Sequence, residues 1–153
     1  MQWSEVIHNP ILQNLPFKIE LNRFGKILMS PASNHHRRIQ TKISYQLTSQ
    51  IPDGEVITEC SIQTTDGVKV ADVVWASRHF IETYAYQTPY PKAPEICVEI
   101  VSPSNSTQEM EEKINLYLAK GAMEVWLVYN DERIQFFTHT GEIERSAFIP
   151  SSA

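Results

Sequence analysis

The stretch that decides the fold runs from Pro94 to Phe137, PEICVEIVSPSNSTQEMEEKINLYLAKGAMEVWLVYNDERIQFF. Its opening, Glu95 to Val101, holds Ile96, Cys97, Val98, Ile100 and Val101 and is apolar on both faces, the pattern of a central strand covered from both sides. Ser106-x-x-Glu109 then reads as a capping box, and Met110, Ile114, Tyr117 and Leu118 keep the 3.6-residue helical spacing as far as Gly121. Two more strands follow, Glu124 to Tyr129 and Arg133 to Thr138, around the turn Asn130-Asp131-Glu132.

Working upstream, Val68 to Trp75 and Glu55 to Ile62 are strand-like and meet across Thr65-Asp66-Gly67, whose Asp-Gly pair is a hairpin signal. Before them, Ile39, Ile43, Leu47 and Ile51 recur every four residues from Asn34, with Ser33 or Asn34 as cap: an amphipathic helix. Phe17 to Leu21 and Lys26 to Met29 flank Asn22-Arg23-Phe24-Gly25 as a small hairpin, preceded by a short helix or arm. Ser77 to Pro94, with Tyr84, Tyr86, Tyr90 and three prolines, reads as a long irregular loop. Hairpin, helix, two strands, strand, helix and two strands make an α/β (α+β) sheet with helices packed on it. We read one domain over 1–153, with an arm at 1–16, a core at about 17–138 and a tail at 139–153.

The chain has 153 residues, 42% of them hydrophobic, and a formal charge of -5. A chain of this size removes roughly two-thirds of its unfolded surface from water and needs no disulfide or metal staple. Cys60 and Cys97 lie in apolar runs without zinc spacing, so we expect a reducing, cytoplasmic setting. The longest run free of Asp, Glu, Lys and Arg, Val6 to Phe17, is 12 residues, against the roughly 20 of a membrane span, and the N-terminus has no export pattern. The net acidity excludes coating of nucleic acid by charge alone, though not a local site. Ser102, Ser104 and Ser106 lack a nucleophile elbow, no phosphate-binding glycine loop is present, and Trp3, Trp75 and Trp126 are assigned to packing.

Two carboxylates are misplaced for stability. Asp72 shares its strand face with Val68, Val70 and Val74, and Glu99 interrupts the doubly apolar strand. An unpartnered polar group there costs on the order of 2 to 7 kcal/mol, so a cation, backbone donors or a retained proton must satisfy each. With Met110 at about 0° and roughly 100° per residue, Lys113 borders the buried helix face and its ammonium reaches toward the sheet. Two carboxylates and a lysine suit a Mg²⁺ or Mn²⁺ site; a structural ion-pair network explains the same residues. His36, one turn from Gln40, is a weaker auxiliary, and Arg37, Arg38 and Lys42 form a basic patch able to meet a phosphate backbone.

Pro94 to Phe137, through its VEI-SPS turn, Glu109, Lys113, Tyr117, Gly121 and the E-x-W-L-V strand, resembles the Uma-two family of the PD-(D/E)XK nuclease superfamily. GKILMSPASNHHRRI, Gly25 to Ile39, is similar to the family's segment before its first helix, and KVADVVW, Lys69 to Trp75, to its P-D-V strand. The resemblance implies a restriction-endonuclease-like core, a mixed central sheet flanked by helices with an N-terminal β-hairpin, and Mg²⁺- or Mn²⁺-dependent cleavage of DNA. It places Asp72, Glu99 and the backbone carbonyl of Ile100 on the metal, Lys113 on the attacking water and His36 beside them. It also implies a homodimer, with a separate partner for specificity left open.

The match departs in three places. Val101 stands where the superfamily's lysine would be, Ala71 replaces the proline before Asp72, and the first helix has no Asp or Glu as third ligand. The alternatives are a non-catalytic module that keeps the fold and an RNA-directed phosphodiesterase.

Overall fold

The computed structural model describes residues 1–150. A short helix α1 (Trp3–His8) and a 3-10 turn (Pro10–Leu12) lead into the antiparallel pair β1 (Phe17–Leu21) and β2 (Ile27–Pro31). Helix α2 (Asn34–Gln50) starts at Ser33, whose hydroxyl accepts the amide of His36. The long hairpin β3 (Gly54–Thr64) and β4 (Gly67–Ser77) follows, then α3 (Arg78–Tyr84), β5 (Ile96–Ile100), α4 (Thr107–Ala119), β6 (Glu124–Val128), β7 (Ile134–Thr138) and β8 (Gly141–Ile143).

Strands β3 to β8 form one sheet in sequence order. Only β5 and β6 pair in parallel, because α4 carries the chain back across the sheet between them; the other neighbours are antiparallel. This is the mixed sheet flanked by helices that the family resemblance implies. Ile39, Ile43 and Leu47 of α2 pack against Val73, Trp75, Val98 and Trp126, while Met110, Ile114, Tyr117 and Leu118 of α4 pack with Val74, Cys97, Val125 and Leu127. Both faces of β4, β5 and β6 are thereby covered, which explains their apolar runs. Among the described residues, no helix is long and apolar enough to cross a membrane.

The β1–β2 hairpin docks on β4 at Gly67, whose φ is +79° and where a Cβ would stand 2.3 Å from the carbonyl oxygen of Leu21. A side chain at residue 67 would push the hairpin away.

Two segments differ from the sequence reading. The stretch after Ser77 is not loop throughout: the Ser77 hydroxyl accepts the amide of Phe80, and Phe80 and Tyr84, one turn apart, pack with ring centroids 4.7 Å apart, which is enough for α3. Beyond residue 138, β8 pairs with β7, and Phe148 and Ile149 pack against the core.

The register around Asp72 sets up the site. Pairing between β4 and β5 ends at Val73 and Val98, so the next facing positions, Asp72 and Glu99, lie where the strands part. On the other side, Thr58 pairs with Val73 and Cys60 with Ala71, and Glu59, at φ +50°, skips its partner. Asp72 therefore sits at a lapse in the ladder on both sides.

Candidate active site

Buried backbone groups freed by such a lapse need new partners. Oδ2 of Asp72 accepts the Ile100 amide at 2.8 Å, and the Asp72 carbonyl accepts Nε2 of Gln40 at 2.8 Å. A side chain thus takes over where the ladder stops. Oδ1 of Asp72 faces Nε2 of His36 at 3.3 Å, so His36 and Gln40 of α2 both reach this one aspartate.

Glu99, 2% exposed, receives three donors. The Tyr117 hydroxyl donates to its Oε1 at 2.7 Å, Lys113 approaches the same oxygen at 3.4 Å, and Lys18 donates to Oε2 at 3.1 Å. Lys113 also donates to Oε2 of Glu20 at 2.9 Å, and that oxygen accepts the Val70 amide at 2.7 Å. Lys18 lies 3.2 Å from Oδ1 of Asp72. Charges alternate along one chain: Asp72, Lys18, Glu99, Lys113, Glu20.

Sequence reasoning singled out Asp72, Glu99 and Lys113, and the fold brings them together with Ile100 and His36. It missed Lys18 and Glu20. These stand two apart on β1, hence on the same face, with Ile19 and Leu21 packed on the other side with Val68. The signal was the alternation Lys-x-Glu across Ile-x-Leu in a strand next to the site.

The electrostatics follow from burial and these partners. Burial alone would raise the Asp72 carboxyl, but the Lys18 ammonium, the His36 contact and the Ile100 amide outweigh it and hold it well below the usual range. Glu20 is likewise held low against its burial by Lys113, Lys18 and the Val70 amide. Glu99 goes the other way: its burial, with Asp72 and Glu20 pushing in the same direction, outweighs both lysines and raises it. The Lys18 ammonium is desolvated, yet Glu99, Asp72 and Glu20 hold it firmly protonated. Burial and the neighbouring Glu99 raise the Tyr117 phenol, which stays a donor.

The cluster opens on a cleft of about 180 Å³ lined by Lys18, Ser30, His36, Asp72, Glu99 and Lys113. A larger groove of about 420 Å³ between β2 and α4 adjoins it, with Glu20, Glu109 and Glu112 on its wall. Arg37 and Arg38 are exposed near the start of α2, whereas Lys42 is engaged by Glu132 at 3.2 Å. The tyrosines after Ser77 lie apart from the cleft; Tyr90 packs on Phe80, and Tyr86 is fully in solvent.

The family model described as "Putative restriction endonuclease", Uma2, matches residues 3–150. The chain belongs to the Uma2 family. Among solved structures it is similar to a protein from Anabaena variabilis titled a putative nuclease belonging to DUF820, with a TM-score of 0.70 and 18% identity over 86% of this chain and 83% of that one. At that identity the likeness concerns the fold. No curated protein matches. The Uma2 family is nuclease-like, and in this chain the parting of β4 and β5 at Asp72 and Glu99 opens into the charged cleft.

Proposed function

We propose that the cleft hydrolyses phosphodiester bonds of DNA with a bound Mg²⁺ or Mn²⁺. The observation that carries this reading is the convergence of Oδ1 of Asp72 and Oε2 of Glu99, from two parting strands, on a single cation, here the Lys18 ammonium. Two hard anionic oxygens at a cleft fit Mg²⁺, which takes one or two carboxylates and fills its shell with water and phosphate oxygens. Among the described residues, no group of three or more His, Cys, Asp or Glu is gathered to hold an ion unaided, so water and phosphate oxygens would have to complete the shell. A divalent ion there supplies Lewis-acid stabilisation of charge on the phosphate.

The protein's own groups do the remaining work. Asp72 and Glu99 are ligands, with the Ile100 carbonyl a further donor beside them. Lys113, held between Glu99 and Glu20, would orient the attacking water; as its oxygen bonds to phosphorus it gives one proton to solvent, the bond from phosphorus to the leaving oxygen breaks, and that oxygen takes a proton from solvent. His36 and Gln40 fix Asp72. Arg37 and Arg38, exposed near the start of α2, approach the flanking backbone from that side. A homodimer or a separate specificity partner belongs to the same reading.

One observation favours a non-catalytic charge network instead: the three carboxylates are already paired with ammonium groups. Following the melting temperature while titrating Mn²⁺ and Mg²⁺ separates the two readings. A ligand bound only by the native state stabilises it, by about 2.7 kcal/mol at a hundredfold excess over Kd. The nuclease reading requires a rise in wild type that Glu99→Gln abolishes, followed by DNA cleavage that Lys113→Ala lowers by roughly 10² to 10⁴. A wild type indifferent to metal supports the charge network.

A further inference from the structure

We infer that Lys18 is a resident counter-cation of the metal site: its ammonium occupies the ion's place between Asp72 and Glu99 and must swing out for the ion to enter. The inference rests on the metal reading and adds a regulatory element to it, contributed by the N-terminal hairpin.

Four observations lead there. Lys18 touches both presumed ligands at once, 3.2 Å from Oδ1 of Asp72 and 3.1 Å from Oε2 of Glu99, so ammonium and ion cannot share the position. Its side chain is 12% exposed and lines the cleft, so it has a way out to solvent. The strand that carries it stays anchored without it, since Glu20 on the same face is held by the Val70 amide and Lys113, and the Arg23 amide donates to Asp66. The charge count favours exchange. Three carboxylates and two lysines, leaving His36 aside, sum to -1, and replacing one ammonium by a divalent ion brings the cluster to zero.

The resident lysine has a physical use. Two carboxylates this buried repel each other and need a cation at once, so Lys18 keeps them in place before metal arrives, at the expense of metal affinity. Metal affinity is thereby lowered by the ammonium's competition, and anything that draws Lys18 into the cleft, such as a phosphate backbone, raises it.

The test measures Mn²⁺ binding by the electron paramagnetic resonance of the free ion, for wild type, Lys18→Met and Lys18→Met/Glu99→Gln. Binding by Lys18→Met at least about tenfold tighter than wild type, lost in the double variant, is the expected result, and tenfold is about 1.4 kcal/mol. Binding by Lys18→Met with none by wild type overturns the inference together with the metal reading, because the native site then takes no ion. Wild-type binding that Lys18→Met leaves unchanged or weakens overturns the inference and spares the metal reading; no binding by any form overturns both. If Lys18→Met does not fold, wild type decides through amine acylation mapped by mass spectrometry. Saturating Mn²⁺ should raise modification of Lys18 severalfold with exposed Lys26 unchanged, and an unchanged Lys18 overturns the inference.

Discussion

The Tyr117 hydroxyl donates to Oε1 of Glu99 at 2.7 Å, with both side chains buried. The bond ties α4 to the end of β5 that carries Glu99. Replacing Tyr117 by Phe keeps the packing and removes one of three donors, which costs about 0.5 to 3 kcal/mol. Urea unfolding should show that loss, with the urea dependence unchanged.

Acid should destabilise the fold through Asp72 and Glu20. Both carboxyls are held low, so the stability they contribute is complete above the unfolded carboxylate range of about 4 and is lost as pH falls through their lowered values. Glu99 is raised and has the opposite sign: its contribution is complete below the unfolded value and lost as pH rises through its own. The urea midpoint between pH 7 and 2 should fall on the acid side in wild type, and more shallowly in Asp72→Asn.

Lys113→Ala leaves Glu20 and Glu99 facing each other without their shared cation, a change worth about 3 to 5 kcal/mol for a buried pair. Glu20→Gln/Lys113→Ala removes both charges and should recover part of the loss. Comparing the double variant with the sum of the singles gives the coupling, and additive effects would disprove it.

Glu124, 1% exposed, accepts Nε1 of Trp126 at 2.9 Å and the Ala147 amide at 2.7 Å, pinning the C-terminal segment to β6. Glu124→Gln sets an amide N–H against one of these donors and should cost about 1 to 3 kcal/mol. Limited proteolysis should then cut after residue 138 sooner than in wild type, while Mn²⁺ binding stays the same.

Burial pushes the Cys60 thiol up to about 12 and that of Cys97 well above its ordinary value. Thiolate is the reactive form, so neither should react with a disulfide reagent at pH 8 in the native protein. Both should react in guanidinium; fast native labelling of either would contradict the packing of β3 and β5.

The parts of this fold legible in the sequence rest on local signals. The Ser106/Glu109 box, the Asp66-Gly67 turn and the spacing of Ile39, Ile43 and Leu47 each act within a few residues, and each matches an observed boundary or face. Asp72 and Glu99 stood out because a charge in an apolar strand is conspicuous. Lys18 and Glu20 did not, since a short strand with alternating charges resembles any solvated hairpin. Their burial comes from partners 54, 81 and 93 positions away, beyond the reach of periodicity. Helix α3, seven residues among tyrosines and prolines, was too short for a period to register.

The alternating order of Asp72, Lys18, Glu99, Lys113 and Glu20 bears on how the chain emerges from the ribosome. Glu20 appears early, but its ammonium partner is made 93 residues later, and a chain halted before Lys113 leaves two acidic side chains without it. An incomplete product therefore has a built-in electrostatic reason not to close over this site.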